Sequence, residues 1–280
     1  MKISTKKGLA VLALGMATTS GGVFAAPTPW IGTADYRVAP GATGDEDKVG
    51  PFTTYDFAAD SPVLIKPLNN ANVFAPTVGD EFQGYYQSYV SQHQLGLSGV
   101  TSPNLNKTGS GTGYELTVAA DFKEKITGVF GSTFTFDVTS GGAKIYFDTS
   151  PDYNFLADTG FTNDHVILTG TILNGSGALV NGALGVTKLN VRVDSYDTTV
   201  FEPDTIVSGS SIFSLEINPN RHSSGITSVL GNSYNSSTDV LLMADGNLAL
   251  AVPEASTYLM MLTGLGMVGF IGARRRNIFG

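Results

Sequence analysis

Apolar and polar residues alternate one for one through much of the middle of the chain. Tyr114, Leu116, Val118, Ala120 and Phe122 alternate with Glu115, Thr117, Ala119 and Asp121. Leu189, Val191 and Val193 alternate with Lys188, Asn190, Arg192 and Asp194, and Phe213, Leu215 and Ile217 with Ser214 and Glu216. A period of two puts successive side chains on opposite faces of a sheet, so these segments predict half-buried antiparallel strands. Further strands are expected at 82–91, 132–138, 143–148, 164–173 and 238–250. Lys107-Thr108-Gly109-Ser110-Gly111, Ser140-Gly141-Gly142 and Asn174-Gly175-Ser176-Gly177 read as breaks between them. No long amphipathic helical period occurs in 26–250, and many short strands without helices predict an all-β, antiparallel β-sandwich or jelly-roll-like domain. Residues 26–80 are less regular: seven prolines from Pro27 to Pro76 predict edge strands and long loops there.

The two ends break this pattern. Residues 1–25 have the three parts of a secretory signal: Lys2, Lys6 and Lys7, an apolar run from Leu9 to Ala17, and small residues ending in Val23-Phe24-Ala25. Cleavage is expected after Ala25, with Val23, Ala25 and Ala26 forming the signal peptidase site, and the partners implied are the secretion channel and that peptidase. Residues 251–280 form the other end, where Val252-Pro253-Glu254 precedes an apolar stretch and then Arg274, Arg275 and Arg276. The 16 apolar residues from Tyr258 to Ala273 make a helix of about 24 Å, and with the residues before them predict a transmembrane helix over about 256–273. The arginines act as a stop and stay cytoplasmic, which leaves Pro253 and Glu254 on the outer face of the inner membrane.

Composition sharpens the picture of the part between, 26–250. Only 14% of the 280 residues are charged, 34 are Gly and none is Cys. That suits a turn-rich β protein held by its core and excludes disulfide frameworks, thiol nucleophiles and thiolate zinc sites. Six of the 16 basic residues lie at the two ends, so 26–253 keeps 10 basic against 23 acidic side chains, near -13. Such a balance repels polyphosphate and argues against nucleic acid as a partner. It also opposes direct contact with anionic polysaccharide unless a divalent cation bridges.

The tail resembles the PEP-CTERM sorting family through Val252-Pro253-Glu254, the Gly-rich span from Leu259 to Ile271, and Arg274 to Arg276; Ala255 stands where that family usually has a second proline. The resemblance implies export by a bacterium that makes exopolysaccharide, transient anchoring in the inner membrane, trimming by an exosortase, and release to the cell surface or extracellular matrix. The ectodomain is similar to flocculation-associated PEP-CTERM proteins through Asp80-Glu81-Phe82-Gln83-Gly84-Tyr85-Tyr86, Tyr114-Glu115-Leu116-Thr117-Val118, and the segment from Ile145-Tyr146-Phe147-Asp148 through Asp164 to Gly170. That likeness implies a protein promoting flocculation or cell aggregation with exopolysaccharide, as in a biofilm, and carries over no catalytic residues.

The residues themselves offer little catalysis. No Gly-x-Ser-x-Gly elbow, His-Glu-x-x-His, P-loop or dinucleotide-binding glycine pattern occurs, and His93, His165 and His222 have no recognisable partner motif. The expectation is a non-enzyme that needs no cofactor, with calcium as the one cation its oxygen chemistry suits. Asp148, Asp152, Asn154 and Asp158 place oxygen ligands close together in sequence, without the glycine and terminal glutamate of an EF-hand; Asp45-Glu46-Asp47 is a second acidic turn. Tyr85 and Tyr89 fall on one strand face and offer flat rings for a sugar, while Tyr86 falls on the core side. The alternatives are a secreted ligand-binding module for a glycan or ice, and a secreted glycosidase acting through paired carboxylates.

Overall fold

A computed structural model of the chain describes residues 28–109, 111–180, 184–206, 210–217 and 225–252. The signal peptidase site, Pro253, Glu254, the expected transmembrane helix and Arg274 to Arg276 lie outside the described residues, as does His222. No helix of the described residues is long and apolar enough to cross a membrane. The first strands are β1 (Thr28–Pro29), β2 (Gly32–Asp35) and β3 (Lys48–Phe52), with a 3-10 turn at Tyr36–Val38. Next come β4 (Thr54–Phe57), β5 (Ser61–Pro67), β6 (Glu81–Leu95), β7 (Ser98–Val100), β8 (Glu115–Phe130) and β9 (Thr133–Asp148). The order continues with β10 (His165–Val180), β11 (Leu184–Tyr196), β12 (Phe201–Glu202) and β13 (Ser210–Ile217). It ends with β14 (Ser228–Val229), β15 (Asn232–Ser233), β16 (Val240–Ala249) and β17 (Ala251–Val252).

All of the long strands belong to one antiparallel sheet that closes on itself. β5, β6, β8, β9, β10, β11, β13 and β16 each pair with the next, and β16 pairs back to β5. β4 continues the line of β5 between the same two neighbours. The all-β, antiparallel expectation holds, but the two-sheet sandwich or jelly roll is replaced by an eight-stranded up-and-down barrel. Alternation says which side of a strand is buried; it cannot say whether that side faces a second sheet or the far wall of the same sheet. Along β8 the inward positions are Leu116, Val118, Ala120, Phe122, Glu124 and Ile126, while Asp121, Lys123 and Lys125 are exposed. Apolar inside and charged outside is the reverse of a membrane-spanning barrel.

Two expected breaks turn out to be interior to strands. Ser140-Gly141-Gly142 lies within β9 and Asn174-Gly175-Ser176-Gly177 within β10. The glycines are there because the wall of a narrow barrel crowds its own neighbours. A Cβ on Gly141 would sit 2.2 Å from the Asp121 carbonyl oxygen, and one on Gly177 would sit 2.4 Å from the Phe136 ring. Glycine in a strand marks a tight bend or a close approach as often as an end.

The two mouths of the barrel differ. At one, β2, β3 and β12 form a small sheet that carries Trp30, Tyr36, Phe52 and Phe201 into the core, all fully or almost fully buried. Trp30 Nε1 donates to the Pro203 carbonyl at 2.9 Å, and Trp30 meets Phe52 edge-on at 5.3 Å between ring centres. β1 pairs with β17 at this same end, joining Thr28 to Val252. The irregular, proline-rich start of the domain is therefore a plug. The other mouth lies at the ends of β8, β9, β10 and β11, where Phe130 and Leu184 are exposed, and among the described residues the 68–80 connection lies across it. Outside the wall, the 149–164 and 225–239 connections cover Leu64, Tyr85 and Met243 in a second, smaller apolar cluster with Ile226 and Val229.

Candidate functional site

The carboxylates that come together do so on the outer wall near the plugged end. Glu115 opens β8, Asp148 closes β9, and antiparallel register pairs them directly. Asp152 follows in the connection to β10. One carboxylate oxygen from each of Glu115, Asp148 and Asp152 lies within 4.8 Å of the others. The chain folds over them at Gly160, whose φ of +80° is in the left-handed region and whose missing Cβ would fall 2.4 Å from Asp152 Oδ1. Glu115, an outward position that alternation marks as solvent-facing, is fully buried beneath this connection, and Thr117 Oγ1 donates to the Phe161 carbonyl at 3.0 Å.

The electrostatics of the cluster are one-sided. Glu115 Oε2 accepts the backbone N–H groups of Asp152 at 3.1 Å and Tyr153 at 3.3 Å, whereas Oε1 is buried with no hydrogen-bond partner. Burial pushes the Glu115 carboxyl up to about 8 against those two hydrogen bonds, and the charges of Asp152 and Asp148 add to the rise. Burial also raises Asp148, opposed by the Ser150 N–H it accepts at 2.6 Å and helped by Asp164 and Asp152. Asn163 Nδ2 reaches Asp148 Oδ2 and both oxygens of Asp152 at 3.4 Å. His165 Nε2 stands 3.2 Å from Asp164 Oδ1 at the surface. Three convergent carboxylates with an unfilled buried oxygen could serve a hard cation as ligands.

This overlaps only partly with the set expected from sequence. Asp148 and Asp152 converge, while Asn154 and Asp158 do other work. Asn154 Oδ1 accepts the N–H groups of Leu156 and Ala157 at 3.0 Å each and shapes its own turn. Asp158 reaches across to accept Leu230 N at 3.0 Å and Gly231 N at 2.8 Å. Glu115 was hidden because it precedes Asp148 by a whole hairpin, and only strand register brings them together. In the acidic turn, Glu46 accepts Thr43 N and Gly44 N, each at 2.8 Å, and Asp47 accepts Asn104 N at 2.8 Å. Those carboxylates tie a loop down.

The remaining candidates fall as follows. Tyr85 and Tyr89 lie on the outer face and Tyr86 is fully buried in the lumen, as the alternation implies. Both outer rings are covered in part: Tyr85 joins the outer apolar cluster, and Tyr89 stacks on Tyr153 with ring centres 3.9 Å apart. One face of Tyr89 is thus already filled. His93 belongs to the plug, where its Nε2 and the Tyr36 hydroxyl are 2.8 Å apart, and burial pushes its imidazole down to about 3. A neutral histidine in such a place holds the core together.

The end of the fold coincides with the start of the tail. A family model described as the PEP-CTERM protein-sorting motif matches residues 251–276, beginning at β17, the last strand among the described residues. The chain is an exported, exosortase-sorted protein that carries this motif behind an acidic β-barrel, and exosortase is its processing partner. No curated protein and no solved structure matches the chain.

Proposed function

We propose that the exported barrel is a non-catalytic component of the cell surface or extracellular matrix that promotes flocculation together with exopolysaccharide. The observation that carries this is a sorting motif attached directly to a compact acidic domain. The signal peptide would engage the secretion channel, the C-terminal helix would hold the chain in the inner membrane, and trimming near Pro253-Glu254 would free the barrel. Calcium held by Glu115, Asp148 and Asp152 is the proposed cofactor, and it gives an acidic surface a way to meet anionic sugar. Deleting the gene in the producing organism tests the reading: dispersed growth with polysaccharide production intact is expected, and unchanged flocs contradict it. Polysaccharide hydrolysis lost on Glu115→Gln would replace it with a glycosidase. The second reading, a ligand-binding module, is favoured by the hollow end of the barrel.

A further inference from the structure

Beneath the 68–80 connection the barrel is not filled. A cavity of about 70 Å³ opens there, several times the space one water needs. Its wall is apolar, with Val63, Phe82, Phe136, Leu215 and Leu242 among the lining residues. Among the described residues Glu124 is the only charged residue of that lining, and Thr187 its only other polar side chain. Glu124 is buried, and among the described residues it has no hydrogen-bond or ion-pair partner. The neighbouring Lys123 and Lys125 point out to solvent and leave it alone in the lumen.

A single unpaired carboxyl in an apolar pocket is costly to the fold and is the mark of a binding site. We propose that this lumen binds a small, uncharged, mostly apolar molecule bearing one hydroxyl or carbonyl group, with the Glu124 carboxyl holding that group. Burial alone pushes Glu124 up to about 8, so near neutral pH it keeps its proton and offers both a donor and an acceptor. Among the described residues no lining side chain supplies a cation to receive an anionic ligand. An ammonium would have to leave water to make a buried ion pair, which is seldom favourable. Access is free of the anchor, because Thr28 and Val252 leave from the opposite, plugged end. This proposal stands apart from the matrix role: a failure here leaves floc formation untouched, and a failure there leaves this pocket intact.

Calorimetric titration of the mature protein with 1-hexanol, hexanoate and hexylamine tests it. Saturable one-site binding of 1-hexanol is expected, at least about tenfold tighter than hexanoate or hexylamine at pH 7. Ile126→Trp fills the lumen and is expected to abolish that binding with the melting temperature retained; should it not fold, Val240→Phe at the rim makes the same test. Glu124→Leu is expected to weaken 1-hexanol about fivefold through loss of its hydrogen bond. Absence of saturable 1-hexanol binding, equal or tighter binding of either charged ligand, or binding untouched by the filling variant overturns the proposal.

Discussion

The two ends of one barrel solve opposite problems with the same eight strands. At the plugged end, residues 28–53 fold across the mouth and fill it with aromatic rings, whose polar atoms mostly find partners inside: Tyr36 bonds His93 and Tyr55, and Trp30 bonds Pro203. At the open end the lining is as apolar, but among the described residues a carboxyl stands in it without a partner, and space remains. The first arrangement maximises packing; the second gives up packing to keep room. An eight-stranded barrel has an interior that side chains alone can just fill, so the void at one end is a property of the residues chosen there, with no larger barrel needed.

The sharpest way to break this contrast is to remove the centre of the plug. Trp30→Ala is expected to cost about 4 kcal/mol, seen as a large loss in urea midpoint; a loss under about 1 kcal/mol would mean the plug is ornamental. Next in size is the pH dependence of the open end. Glu124 has a folded value near 8 against an unfolded value near 4.3. The folded state therefore holds a proton that the unfolded state has released over that interval. Stability from this group is complete below the unfolded value and is lost as pH rises through about 8. Glu124→Gln is expected to flatten the decline, its advantage over the native protein growing by roughly 4 kcal/mol between pH 5 and pH 9. Parallel profiles would contradict a buried lone carboxyl.

Calcium comes third. At about 5 mM the cation is expected to raise the melting temperature by roughly 3–6 °C, as for an extracellular site with sub-millimolar affinity. Asp152→Asn is expected to remove most of that shift, whereas Asp158→Ala lowers stability and leaves the shift in place, because Asp158 holds Leu230 and Gly231. No shift in the native protein discards the site. The smallest effect is packing at the open end: Leu242→Ala is expected to cost about 1 kcal/mol, well below a filled-core Leu→Ala, since its side chain already borders a void.

Much of this is legible in the sequence. Period two at 114–122, 188–194 and 213–217 placed strands and named their buried faces, because burial on a sheet is a local property of alternate positions. Closure was not legible: β16 meets β5 across most of the chain's length, and no local pattern encodes a partner that distant. The glycines at 141 and 177 misled because the same residue serves a turn and a crowded wall. Among site residues, Asp148 and Asp152 were accessible from spacing, while Glu115 needed the β8–β9 register and Glu124 needed the lumen. An acidic residue on the apolar side of the alternation, between Phe122 and Ile126, was the one available signal for Glu124.

The sorting account meets its most direct test at the boundary between fold and tail. Val252, the last described residue, pairs with Thr28, so cleavage just beyond it keeps every described strand of the barrel. Intact mass and the C-terminal peptide of the protein recovered from the medium or surface of its producing cells decide the matter. The account predicts a terminus near Pro253-Glu254 on a folded, released barrel. A surface-recovered chain continuing to Gly280 would contradict it.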